Sequence, residues 1–237
     1  LLVAAACELT ARKLDLAEVV RPVLFRAALT MNISMAVEQN TLARQNVKPD
    51  TGQRQLIKDH PGKSATILRG YGVANEDLLD IVSLHHDRDE SRGLKRNLAL
   101  RRILRLADEF VAGIAARSSR AGMSALGAAK KTVLGAVGED AHVGAALTAA
   151  LGFYPPGTYV RLANGEIAVS ARRGTAANMP LVVTIINAQG VALGTYLARN
   201  THDKSFSIQA PVGPDNIKIS VNAERVFKAI QKLQATV

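Results

Sequence analysis

Two adjacent histidines, His85-His86, close an apolar stretch of this 237-residue chain. A carboxylate, Asp108, sits on the next such stretch where a leucine would fit. Leu78, Val82 and His85 recur at i, i+4, i+7, and Leu79, Val82 and His86 at i, i+3, i+7. Both imidazoles therefore project from the apolar side of one helix. Leu100, Leu104, Asp108 and Val111 repeat the pattern on the next helix. Imidazoles and carboxylates on a buried face are costly unless a charge compensates them, and a divalent metal is the common compensator. His60 precedes Pro61 at an expected helix junction, where a side chain can reach inward. His60, His85, His86 and Asp108 make a chemically sensible ligand set for one divalent ion such as Fe, Mn, Zn or Ni. The competing reading is a polar cluster hydrogen-bonded to itself, with no metal.

The elements that must carry these residues are helical over roughly the first 150 residues. The periodicity predicts helices over Leu1–Leu14, Leu16–Leu29, Ser34–Gln45 and Gln53–His60, with Asp50 or Thr51 as a cap. Pro61 is read as the start of a new helix ending near Gly70–Gly72, and Asn75 as the cap of a helix through His86. A charged break over Asp87–Gly93 leads to a long amphipathic helix, Leu94–Ala116, and then to Ala-rich helices near Ser124–Val137 and Ala141–Leu151. The character changes at Phe153-Tyr154-Pro155-Pro156-Gly157. Strands are predicted over Thr158–Leu162, Glu166–Ala171, Leu181–Asn187, Ser205–Gln209 and Ile217–Val221. Asn164-Gly165 and Ala188-Gln189-Gly190 are hairpin turn signals, and Asn222 caps a final helix, Ala223–Leu233. The expected class is mainly α: a helical domain, 1–152, and a small β-rich module, 153–237, closed by a helix.

Composition narrows the function. The net charge of +10 is uneven: residues 88–120 hold nine basic and four acidic side chains, and residues 151–237 the same, while the rest balances. Clustered positive charge suits an anionic partner such as a phosphate, a nucleotide or an acidic protein. The absence of tryptophan and an aromatic content of 4% argue against a stacking surface, so nucleic acid is not the expected partner. No run approaches the ~20 apolar residues that span a bilayer. One cysteine, Cys7, excludes an internal disulfide, fits a reducing cytoplasm and is expected to be a small buried hydrophobe.

Three stretches lie in a telling order: Asp59-His60-Pro61-Gly62-Lys63-Ser64-Ala65, Leu84-His85-His86-Asp87-Arg88, and Arg102-Ile103-Leu104-Arg105-Leu106-Ala107-Asp108-Glu109-Phe110. This order resembles the HD superfamily, specifically its HD-GYP branch, which carries a His-Asp pair, a His-Pro helix start, a His-His pair and an Ala-Asp helix. Arg117-Ser118-Ser119-Arg120 matches the family's Arg-x-x-Arg, and Leu151 to Leu162 the segment that ends its helical part. The resemblance implies an HD-type helical bundle, His60, His85, His86 and Asp108 as metal ligands, and Arg117 and Arg120 as contacts to ligand phosphates.

Departures from the pattern matter as much. In Arg26-Ala27-Ala28-Leu29-Thr30-Met31-Asn32-Ile33-Ser34, Met31 stands where the family has histidine and Asn32 where it has the metal-bridging aspartate. Asparagine is neutral and a far weaker ligand. The Gly-Tyr-Pro loop after the His-His pair is absent, and Val111 replaces a further aspartate. The family hydrolyses cyclic di-GMP with a hydroxide bridging paired metals. The expectation is therefore a degenerate, cytoplasmic signalling protein with little or no phosphodiesterase activity, binding a cyclic dinucleotide or a signalling protein. The alternative is an active metal-dependent phosphohydrolase whose missing ligands come from elsewhere in the chain.

Overall fold

The computed structural model describes residues 1–114, 123–134 and 137–235. The chain divides into two compact units, Leu1–Met123 with Lys130–Ala150, and Ser124–Ala129 with Leu151–Val237.

The first unit is helical. Its main elements are α1 (Leu2–Lys13), α2 (Arg21–Thr30), α3 (Glu38–Arg44), α4 (Thr51–Gly70), α5 (Glu76–Leu84) and α6 (Leu98–Ile114). Further on come α7 (Ala125–Leu134), which runs from the second unit into the first, and α8 (Glu139–Leu151). Helix α1 packs on α2 and α6, α4 on α5, and α2 on α5 and α6. The buried face of α1 is made of small residues, Ala4, Ala6, Cys7, Thr10 and Ala11, which allow close approach of its neighbours. Leu24, Ile81, Ile103 and Leu104 fill the centre and are all but inaccessible.

Local chemistry fixes the helix ends that matter. Asp50 caps α4 in a capping box: its carboxylate accepts from Gln53 N at 2.8 Å, and the Gln53 side chain accepts from Asp50 N at 3.1 Å. Asn75 caps α5 by accepting from Leu78 N at 2.8 Å. The link from α5 to α6 is held by Asp80, which is buried. It accepts from Leu94 N at 2.8 Å and Asn97 Nδ2 at 2.9 Å, and faces Arg101 Nε at 3.8 Å. Gly93 lies at φ +70, and a Cβ there would collide with the Asp80 carboxylate and the Leu84 side chain. Only glycine satisfies both constraints.

Two stretches depart from the expected helices: Ser34–Gln45 is a 3-10 turn, Ile33–Met35, followed by the shorter α3, and the chain around Pro61 is continuous. Pro61 does not start a new helix; α4 runs unbroken through it for 20 residues. Proline removes the N–H that would bond the carbonyl four residues back. Here that carbonyl, on Ile57, is taken by the His60 ring instead, at 2.6 Å.

The second unit corrects the expected class. It contains a five-stranded antiparallel sheet in the order β4-β3-β2-β1-β5, from β1 (Tyr159–Leu162), β2 (Ile167–Arg172), β3 (Leu181–Ile186), β4 (Ala192–Asn200) and β5 (Ile208–Val212), with α9 (Ala223–Ala235) against it. The chain thus joins a helical unit to a unit built on a full five-stranded antiparallel sheet, where the expectation was a mainly α bundle with a small β-rich module closed by a helix. Of the longest strand, β4, the sequence signals only the hairpin turn that precedes it, Ala188-Gln189-Gly190, and no range. Its Ala-Leu-Gly-Thr-Tyr-Leu-Ala-Arg-Asn lacks the contrast that reveals a period of two, because an edge strand with exposed residues needs none. Conversely, Ile217–Val221 is not a strand. Ile217, Ile219 and Val221 pack against the cluster of Val169, Val183, Ile185 and Tyr196 without ladder bonds. The other face of the sheet buries Val160, Leu162, Ala168 and Val182. Gly165 and Gly190 turn the β1–β2 and β3–β4 hairpins at φ +86 and +80.

Within the second unit, Glu166 is the buried polar anchor. It accepts from Arg199 at 2.9 and 3.1 Å and from Thr184 Oγ1 at 2.7 Å, and Arg199 also stacks over Phe206 at 4.5 Å. The Arg199 guanidinium first, then Thr184, hold the Glu166 carboxyl below its ordinary range against the opposing effect of burial.

Candidate metal centre

Three imidazoles converge in the first unit. His60 comes from the middle of α4, His85 caps the end of α5, and His86 follows it. One ring nitrogen from each lies within 4.8 Å of the others among the described residues. Ring centroids are 5.1 Å apart for His60–His85, 5.2 Å for His60–His86 and 4.2 Å for His85–His86. His60 and His85 are buried, whereas the His86 side chain keeps 40% of its accessible surface.

Hydrogen bonds settle the tautomers of the two buried rings. His60 Nδ1 lies 2.6 Å from Ile57 O, the carbonyl freed by Pro61. His85 Nδ1 lies 2.7 Å from Val82 O, one of the last-turn carbonyls that a helix cannot satisfy itself. A carbonyl only accepts, so each Nδ1 carries the proton. In a neutral ring each Nε2 is then a bare lone pair, and these two lone pairs face each other at 3.3 Å. Protonating one would convert the clash into a hydrogen bond, but the surroundings oppose it. Burial, then His86, hold the His85 imidazolium down to a pKa of about 3, and burial also lowers His60. His86 is lowered by burial, by His60 and by Arg105.

Two lone pairs aimed at one point, each ring fixed through its other nitrogen to a backbone carbonyl, form the donor arrangement of a metal-binding histidine pair. The spacing fits as well. Two nitrogens at 2.0–2.1 Å from a tetrahedral ion stand about 3.3–3.4 Å apart. The described donor set is thus three neutral nitrogens, which suits zinc or another borderline divalent ion better than a hard, oxygen-seeking one.

Asp108 stands at the rim of this group. Its Oδ2 is 3.7 Å from His86 Nε2, and its charge, after burial, raises the Cys7 thiol on α1 above the ordinary range. The structure therefore brings three of the four expected ligands to one point and sets the fourth against the exposed member. Met31 is buried at the end of α2, with its N–H on Ala27 O at 2.8 Å. Asn32 opens the short turn Ile33–Met35, which is fastened to α4: Ser34 Oγ donates to His60 O at 3.0 Å and meets Ser64 Oγ at 2.9 Å. A thioether and a neutral amide occupy these positions, so this segment brings no bridging carboxylate. The residues fit one ion and do not fit a carboxylate-bridged pair. Arg117 and Arg120 lie outside the described residues.

Sequence reasoning missed a second buried polar group, on α6. Arg101 and Arg105 on α6 are buried, at 4% and 5% exposure. They lie at i, i+4 on the face that also carries Asp108. That spacing was the available signal, but arginines on a basic segment read as solvated surface.

No protein-family model, no curated protein and no solved structure matches the chain. No helix among the described residues is long and apolar enough to cross a membrane.

Proposed function

We propose that this chain is a degenerate HD-GYP-like signalling protein of the cytoplasm that holds a single divalent metal through His60, His85 and His86, and has little or no phosphodiesterase activity. The observation that carries the reading is the pair of lone pairs at 3.3 Å, each ring anchored through Nδ1. A structural core histidine would spend its second nitrogen on a donor. The ordered set from His60 to Asp108 supports the resemblance, and Met31 with Asn32 supports the loss of the paired site. A bound metal would supply a Lewis-acidic centre, while the chain orients the rings and keeps them neutral. Binding of a cyclic dinucleotide or a signalling protein is assigned to the basic segment 88–120, with Arg117 and Arg120 as its phosphate contacts.

The second reading, an active metal-dependent phosphohydrolase, draws on the partial exposure of His86. Three histidines with an accessible side also describe a catalytic zinc site. Metal content and cyclic di-GMP hydrolysis, measured on one purified sample supplied with Mn, Fe or Zn, separate the two. One metal per chain without turnover is expected. Two metals with turnover abolished by His85→Ala would establish the enzyme instead.

A further inference from the structure

A cleft of about 200 Å³ lies between the α5–α6 link, α6 and the start of α8, all within the first unit. Its lining is largely charged: four arginines, Arg88, Arg101, Arg102 and Arg105, stand among five carboxylates, of which Asp140 is the one that Arg105 holds with two hydrogen bonds. Three of them gather around one carboxylate, Asp140. Arg105 Nη2 donates to it at 2.6 and 2.8 Å, Arg102 Nε stands at 3.8 Å and Arg88 Nη1 at 4.0 Å. The Arg105 side chain is 6% exposed, yet its Nη1 has no hydrogen-bond partner. Arg101, equally buried, leaves Nε and Nη2 without one. Buried guanidinium N–H groups are costly to leave unpaired, and the carboxylates present leave Arg105 Nη1 and Arg101 Nε and Nη2 without a hydrogen bond. Two further anionic partners are exposed: Glu90, 57% accessible, pairs with Arg102, and Glu109, 41% accessible, accepts from Arg88 Nη2 at 3.4 Å and lies 3.9 Å from Arg105 Nη1, and ion pairs in such positions exchange at little cost.

We propose that this cleft binds the phosphate group of a small phosphorylated ligand through Arg105, Arg102 and Arg88, and that Asp140 competes with the phosphate for Arg105. A phosphate dianion offers more acceptor oxygens than a carboxylate and matches the planar guanidinium fork in two directions. The site uses none of the histidines, so it stands whether or not a metal binds.

The test is calorimetric titration of the whole chain, stripped of metal by a chelator, with inorganic phosphate in one arm and a nucleoside monophosphate in the other. Saturable binding is expected in both arms. Asp140→Asn removes the competitor and tightens it about tenfold, whereas Arg105→Gln abolishes it. Arg88→Gln changes an exposed side chain, leaves the melting temperature alone and weakens binding severalfold, which decides the matter if either buried variant fails to fold. Absence of saturable phosphate binding, or binding indifferent to Arg88→Gln, would overturn the proposal. So would weaker binding in a folded Asp140→Asn protein. Because these titrations contain no metal, their failure is separate from any failure of the metal reading.

Discussion

Replacing His85 by leucine distinguishes a metal ligand from an ordinary core histidine, because the two roles predict different metal-free stabilities and different responses to zinc. His85 is fully buried, with Nδ1 bonded to Val82 O and Nε2 facing the lone pair of His60 at 3.3 Å. Leucine has a similar volume. It leaves the buried Val82 carbonyl without its donor, about 1–3 kcal/mol, and relieves one buried unsatisfied acceptor, also about 1–3 kcal/mol. The metal-free variant is therefore expected to lie within about 2 kcal/mol of the parent. The parent has the compensating gain when metal is present: an ion at 100 times its dissociation constant stabilises by about 2.7 kcal/mol. At 2–4 °C per kcal/mol for a chain of this size, that raises the melting temperature by about 5–10 °C. Calorimetric melts of both proteins, with excess chelator and with zinc, give all four values. A zinc shift in the parent that vanishes in His85→Leu is the expected result. If the metal-free variant loses 3 kcal/mol or more and the parent shows no zinc shift, His85 is a satisfied core residue and the argument from facing lone pairs is wrong.

Three further outcomes follow from the packing. Gly93→Ala places a Cβ against the Asp80 carboxylate at a positive φ and is expected to cost about 2 kcal/mol or more in denaturant unfolding, whereas Gly190→Ala, with nothing near it, should cost only its φ strain, about 1 kcal/mol. Glu166 has a folded pKa below its ordinary value, so its contribution is complete above about pH 4.5 and is lost as the pH falls through the folded value. Melting of Glu166→Gln should accordingly be less pH-dependent below pH 4.5 than that of the parent, and an unchanged slope would contradict the assignment. Burial and the nearby Asp108 charge raise the Cys7 thiol, so it should resist a thiol reagent at pH 8 until the chain is denatured.

What could be read from the sequence depended on whether a residue's role was local. The caps at Asp50 and Asn75, the turns at Gly165 and Gly190 and the projection of His85 from an apolar stripe all follow from spacing within a few residues. Strand β4 was not legible because its pairing, Val183 with Ala198 and Val182 with Arg199, depends on β3 and not on its own pattern. Pro61 misled for a related reason. Its helix-breaking effect is real, but the orphaned Ile57 carbonyl is satisfied by His60, one residue before the proline.

The same compensation links sequence to site. Pro61 frees a carbonyl, that carbonyl fixes the His60 proton on Nδ1, and the fixed proton turns Nε2 toward His85, which the end of α5 has oriented in the same way. Two helix defects, a proline in one helix and a terminus in the other, thus put the proton on Nδ1 of both buried rings and leave each Nε2 free to act as a donor to a metal. Met31 and Asn32 leave that device intact, because the turn holding them reaches α4 through Ser34 and Ser64. On the HD-GYP-like reading proposed above, a chain without the bridging carboxylate would therefore keep its single-ion geometry, and absence of a paired site would not entail absence of metal.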